Sequence, residues 1–382
     1  MIRTSRPAWR LAAIATSFVA GLTAVSAAPA SADSTTGQPS PQVVASELNS
    51  PRHLRWSGGA LYVAESGVGG SGACVEGAEG EACYGATGSI TRIKHGQQRR
   101  VVRGLPSIAG EGGAGATGPS DVLVRGKRYT VALGLGADPA VRSGLNARGQ
   151  KLGTVSTGRF GRPGLRVVAD VGDYEATANP DGELPADTNP VALLQRGKRS
   201  YVVDAGGNTL LRYNQRGRIR TTAVFESTQV AAPPFLGLPP GATVPMDAVP
   251  TAAAFGPDGA IYVSQLTGFP FPVGGASIWK VVPGHEPTKF ATGLTNVTDL
   301  SFGRDGSLYA VQFADEGLLA GPTATGSVVR IPRGGGAQHE TVVDDLASPY
   351  GLALRGRSAY VTVCSVCAGE GQVLRVPLRS VS

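Results

Sequence analysis

The stretch Thr251-Ala252-Ala253-Ala254-Phe255-Gly256-Pro257-Asp258-Gly259-Ala260-Ile261-Tyr262-Val263 sets the reading of the whole chain. An apolar run of small residues enters a Pro-Asp-Gly turn, and a β-rich run carrying one tyrosine leaves it. Asp-Gly between two such runs is a strong hairpin signal, because glycine supplies the positive φ that tight turns require. The same unit recurs in both directions along the chain. Turns at Ser57-Gly58-Gly59, Arg125-Gly126-Lys127, Arg196-Gly197-Lys198, Arg304-Asp305-Gly306 and Arg355-Gly356-Arg357 precede Tyr62, Tyr129, Tyr201, Tyr309 and Tyr360. Six of the ten tyrosines therefore hold one position in a repeat.

A third strand follows most hairpins, as in Ser89-Ile90-Thr91-Arg92-Ile93, Leu210-Leu211-Arg212-Tyr213, Ser277-Ile278-Trp279-Lys280-Val281, Ser327-Val328-Val329-Arg330-Ile331 and Gln372-Val373-Leu374-Arg375-Val376. A fourth closes most units, for example Arg100-Val101-Val102, Val167-Val168-Ala169 and Thr341-Val342-Val343. Four strands repeating every roughly 45–70 residues make the unit of a propeller blade. The last unit lacks a fourth strand, and Gln42-Val43-Val44-Ala45 lies ahead of the first. The sequence thus predicts an all-β, six-bladed β-propeller over residues 42–380, closed by pairing the N-terminal strand with the last blade. That closure removes the open sheet edges. A β-sandwich would leave six phased tyrosines unexplained.

Gly (55) and Pro (27) are abundant among the 382 residues, yet Val, Leu, Ile and Tyr recur in short bursts, which argues for many short strands rather than disorder. Residues 1–32 read as a signal peptide: Arg3, Arg6 and Arg10, an apolar run from Leu11 to Ala28, and a cleavage pattern at Ala30-Ser31-Ala32. Residues 33–41 would be a flexible mature N-terminus. The expected product is secreted and, after cleavage, has no membrane segment. Losing three arginines takes the formal charge from +7 to about +4. The remaining cations are scattered through turns without dense runs or interleaved aromatics, so nucleic acid is not an expected partner. The expected state is a monomer.

Export suits the four cysteines. Cys74 and Cys83 share one loop, while Cys364 and Cys367 follow the sixth repeat tyrosine. Local pairing, Cys74 with Cys83 and Cys364 with Cys367, closes a short loop each time. A cross pairing between the first and last blades also fits a ring, and a four-thiolate zinc site suits an oxidising compartment poorly.

Three blocks resemble the ScyD/ScyE family of secreted bacterial propellers: Asp187-Thr188-Asn189-Pro190 ahead of Ser200-Tyr201-Val202-Val203-Asp204-Ala205-Gly206-Gly207-Asn208, then Gln265-Leu266-Thr267-Gly268-Phe269-Pro270-Phe271-Pro272, then Cys364-Ser365-Val366-Cys367 before Gly371-Gln372-Val373-Leu374-Arg375. The resemblance implies a ring related to NHL-type and gluconolactonase-type propellers and implies no particular reaction.

In an antiparallel blade the short turns fall at one end and the long connections at the other. Long loops on one rim of a rigid ring are where binding normally resides. At this rim, three residues after the repeat tyrosines, stand Glu65, Asp204, Gln265 and Gln312. Beside them, near the starts of inner strands, stand His53, Asp121, Asn189, Thr251 and Asp299, and Asn208 completes the candidate set. Converging carboxylates and amides there suit Ca²⁺ or another divalent cation, which takes oxygen ligands, or a polar small molecule. The competing expectation is that the same groups cap blade ends. The loop carrying Asp173, Glu175, Asp181, Glu183 and Asp187 is acid-rich enough to offer calcium ligands, but its spacing matches no EF-hand and the favoured reading is a solvated loop. His95, His285 and His339 fall in turns at the opposite end. With no nucleophile elbow and no paired-histidine motif, the first functional expectation is a binding or scaffold protein whose partner is a small molecule or an extracellular protein. The alternative is a divalent-metal-dependent hydrolase or lyase of the lactonase type, using Glu65, Asp121, Asn189 and Asp204.

Overall fold

The Pro-Asp-Gly hairpin forms as read, with Tyr262 opposite Ala254 on one side and Lys280 on the other. The computed structural model describes residues 40–77 and 80–378, and the expected signal peptide lies outside them. Within these residues the chain is nearly all β and forms six four-stranded antiparallel blades. In blade 1 the strands are Pro51–Ser57, Ala60–Glu65, Gly80–Lys94 and Gln97–Ala109. Blade 2 comprises Pro119–Arg125, Arg128–Leu133, Thr154–Arg159 and Arg166–Asp170. Blade 3 comprises Pro190–Arg196, Arg199–Asp204, Thr209–Tyr213 and Ile219–Val224. Blade 4 runs through Pro250–Phe255, Ile261–Gln265, Ala276–Val281 and Thr288–Leu294, and blade 5 through Val297–Phe302, Leu308–Gln312, Thr325–Ile331 and Glu340–Ala347. Leu352–Arg355, Ser358–Val363 and Gly371–Pro377 build blade 6, whose fourth strand is the N-terminal Gln42–Leu48. Gln42 stands opposite Arg375 and Leu48 opposite Gly371, so the ring closes as expected. Six blades around an axis define the protein as a six-bladed β-propeller.

The tight turns need glycine for a stated reason. Gly58 and Gly59 both sit at positive φ, +54° and +75°, where a side chain would be strained.

The repeat tyrosines explain why the blades stack. Tyr62, Tyr129, Tyr201, Tyr262 and Tyr309 are all at least nine-tenths buried, while Tyr360 is half-buried. They do not fill the interior of single blades. Tyr201 packs in a cluster with Ala252 and Val263 of blade 4, and Tyr262 with Leu300 and Ile331 of blade 5. Each neighbouring pair of blades shares one such apolar layer. Burying each aromatic ring contributes about 2 kcal/mol, so the layers supply much of the fold's stability. A further apolar cluster, including Tyr84, Ile108, Leu135 and Leu152, lies under the long loops of blades 1 and 2.

Three elements at the long-loop end exceed the sequence reading. The third strand of blade 1 begins at Gly80 rather than near Ser89 and pairs with Cys74–Gly77 as an extra hairpin. A second hairpin joins Thr228–Ala231 to Thr243–Met246 between blades 3 and 4. Helix α1, Val171–Ala178, follows blade 2 directly, with the Asp170 side chain accepting from the Asp173 N–H as its N-cap. The disulfides are Cys74–Cys83 and Cys364–Cys367, the local pairing, which fits an extracellular protein and leaves no thiolate for zinc. No helix among the described residues is long and apolar enough to cross a membrane.

Candidate functional site

The inner strands line the channel, and their polar side chains are spent on one another. Asp121 starts the inner strand of blade 2. Its carboxylate accepts from Val122 N, from Leu193 N of blade 3 and from the Arg55 guanidinium of blade 1, Nε to Oδ1 being 2.9 Å. Arg55 in turn donates to the Leu193 carbonyl at 3.0 Å. Asp299 repeats the pattern on the other side of the ring. It accepts from Leu300 N, from Leu352 N of blade 6 and from His53 Nδ1 of blade 1 at 3.0 Å. Burial alone would raise the Asp121 pKa, but the Arg55 ion pair and the hydrogen bonds outweigh it and hold it below the usual range. Blade 1 thus supplies a side-chain partner to each side, and two carboxylates sew five blades together. His53 Nε2 is buried without a partner.

The residues three places after each repeat tyrosine do not converge on a common point. Each turns into its own blade. Glu65 is fully buried and accepts from Ser89 Oγ, Thr91 Oγ1, Asn49 N and Arg100, with Arg100 Nη2 at 2.7 Å. Gln265 accepts from Trp279 Nε1 at 3.0 Å. Gln312 accepts from Thr295 N and donates to Asp315 and Ser327. Thr251 Oγ1 donates to the Val297 carbonyl. These groups hydrogen-bond at the blade ends. Glu65 and Asp121, each bound by an arginine, have no lone pairs free for a catalytic metal at the channel mouth.

Asp204 is the exception among them. It is buried at the end of the second strand of blade 3, and its partners are all neutral: Thr188 Oγ1 at 2.7 Å, Asn189 N, and the N–H groups of Gly206 and Gly207. Helix α1 places Glu175 on the other side of the Gly206-Gly207 turn. A Cβ on Gly207 would stand 2.4 Å from Glu175 Oε2 and 3.4 Å from Asp204 Oδ2, so only glycine admits both carboxylates. A Cβ on Gly206 would meet Asp187 Cγ at 2.9 Å. Asn208, left-handed at φ +48°, donates to Asp181 at 2.9 Å and accepts from Val249 N. Glu175 was expected in a solvated loop, yet it is fully buried. Desolvation first, then the neighbouring Asp204, Asp181 and Asp187, pushes Glu175 up to about 8. Desolvation and Asp204 push Asp187 to about 7, and desolvation takes Asp204 to about 6 against the hydrogen bonds it accepts. Sequence reasoning placed Asp204 and Asn208 in the candidate set and missed Glu175 and Asp187 as their companions. The signal available was the run of five acids in one loop.

The remaining rim features are a cleft and an apolar ridge. The cleft, of 130 Å³, opens between Glu81, Ile108, Thr117, Leu135 and Asn189, with the Cys74–Cys83 hairpin forming one wall. The ridge follows the loops of blades 3 to 5. Phe235 and Phe269 meet edge-to-face with centroids 6.2 Å apart, Phe269 and Phe271 at 6.3 Å, and a Cβ on Gly317 would stand 3.5 Å from Val273 Cγ2.

No family model matches the chain, and no curated protein matches its sequence. Solved propellers share its fold. One is a structural-genomics protein of unknown function from Bacteroides thetaiotaomicron, at 11% identity over 88% of this chain and 72% of that one, with a TM-score of 0.50. A putative gluconolactonase is 10% identical over 89% of this chain and 94% of its own, with a TM-score of 0.46. Virginiamycin B lyase from Staphylococcus aureus is 11% identical over 89% of this chain and 99% of its own, with a TM-score of 0.41. At these identities the likeness is one of fold.

Proposed function

We propose that the protein is an extracellular binding propeller of the ScyD/ScyE kind, which engages an extracellular protein partner through its long-loop rim. One observation carries this reading. Of eight exposed large apolar side chains among the described residues, six (Leu184, Phe235, Leu238, Val273, Leu319 and Val366) lie on connections at that rim. Exposed apolar groups gathered at one end of a rigid scaffold mark an interaction surface. The disulfides suit the compartment, and the ion-paired channel carboxylates turn attention away from a metal-dependent reaction there.

The test uses Phe235→Ser with Val273→Ser, both surface changes. Immobilised wild-type protein should retain a defined protein from the producing organism's secreted and envelope fractions, and the double variant should lose at least about tenfold of it. Equal retention by both would remove the rim from the argument. Turnover of lactone substrates with added divalent metal, abolished by Asp121→Asn, would replace the binding reading with the enzymatic one.

A further inference from the structure

Among the described residues the buried carboxylates of Glu65 and Asp121 each face an arginine, and at one place buried carboxylates face none. Glu175 is wholly buried, and both of its carboxylate oxygens lack any hydrogen-bond partner. Asp187 Oδ1 is in the same condition. Among the described residues no ion pair includes Glu175, Asp187 or Asp204. The charges that act on Glu175 are all negative. An isolated carboxylate taken out of water costs several kcal/mol unless a proton or a cation neutralises it, and three beside one turn compound that cost.

We infer that Glu175 and Asp204, on either side of the Gly206-Gly207 turn, bind one divalent cation of the calcium class, with Asp187 joining through a water. Glu175 and Asp204 face each other across the space that a Gly207 side chain would fill. Asp187 flanks the turn beside Gly206 and reaches the ion through a water. The donors are all oxygen and carry three formal negative charges, with no imidazole or thiolate among them. Such a set favours a hard cation over zinc or copper. Calcium fits better than magnesium. Magnesium keeps most of its water and a strict octahedron, whereas calcium accepts buried carboxylates in irregular arrays.

The surroundings are those of a positioned ligand. Thr188, Asn189 and the two glycine N–H groups fix the Asp204 carboxylate, and the Asn208 amide holds Asp181 at the edge of the cluster. Hydrogen-bonded outer partners that orient a ligand carboxylate are a regular feature of metal sites. The channel carboxylates make the contrast: Asp121, equally buried, has Arg55 and needs no ion. The inference stands whatever the rim binds.

The experiment is calcium titration of the purified protein after exhaustive treatment with EGTA, read by calorimetry and by thermal unfolding at pH 7.5. One calcium per chain should bind, and 2 mM CaCl₂ should raise Tm by at least about 3 °C. Glu175→Gln should abolish both effects while melting no lower than wild type in EGTA, because its amide buries no charge. Gly207→Ala, whose methyl occupies the space between the carboxylates, should weaken binding at least about tenfold. Absence of calcium binding would overturn the inference. So would a calcium response that survives Glu175→Gln, or a Glu175→Gln variant that melts well below wild type in EGTA. That last result would mean that something other than a cation stabilises the carboxylate.

Discussion

Asp121 in the channel and Glu175 at the junction of blades 2 and 3 are both fully buried, and their surroundings are opposite. Asp121 meets a guanidinium and two backbone N–H donors, whereas Glu175 meets only other carboxylates. Burial is therefore a poor guide to which acid has work left to do; the accounting of partners is the better one. In the channel the account is closed. At the blade 2–3 junction it is open.

The largest effect that would break this contrast comes from the channel. Arg55→Met should leave Asp121 as an uncompensated buried charge and cost about 3–5 kcal/mol, read as a shift in the midpoint of urea unfolding. A loss below about 1 kcal/mol would show that the channel carboxylate is solvated, and the two regions would no longer differ in kind.

Smaller, and opposite in sign, is the response to pH. Asp121 is more acidic folded than unfolded, so its contribution is present above the unfolded value of about 3.9 and fades as pH falls through its folded pKa. The junction acids are less acidic folded than unfolded. In EGTA their contribution is present below about pH 4 and is lost as pH rises through about 6, 7 and 8 for Asp204, Asp187 and Glu175. Tm of the metal-free protein should thus fall by several degrees between pH 5 and 8.5, and Glu175→Gln should flatten that slope. A metal-free Tm that rises over this interval would assign the junction acids the same character as Asp121.

Least of all should happen at the rim ridge. Phe235→Ser with Val273→Ser should change unfolding free energy by less than about 0.5 kcal/mol, because both side chains are mostly exposed, at 66% and 65%. A loss above about 2 kcal/mol would make the ridge part of the core.

What the sequence revealed follows from the range of each interaction. The hairpins, the blade count and the two disulfides depend on residues close in sequence, and Asp-Gly turns and phased tyrosines announce them. Ring closure was legible because an orphan strand at one end matched a missing strand at the other. The partners of Glu65 and Asp121 were not legible, because Arg100 and Arg55 come from other strands and isolated arginines in a β-rich sequence carry no mark of their targets. Glu175 was taken for a solvated residue because its burial is imposed by α1, a short helix without strong amphipathic patterning, packed beside a turn some thirty residues further on. Asp204 and the acidic connection before it were both read at the long-loop end, but nothing local in the sequence shows that this connection folds onto the Gly206-Gly207 turn.

The strand Gln42–Leu48 is the first described strand of the chain and the fourth strand of the last blade. A ring latched by strands so far apart in the chain cannot be completed until the later one has been made. Five blades can assemble in order as they emerge, but the clasp must wait for Gly371–Pro377. Until then the opening segment is a loose strand with an unsatisfied edge, available to a chaperone or to a second copy of the chain. Completion is the event that withdraws that edge, so arrival of the last blade's third strand is what makes the ring a closed sheet.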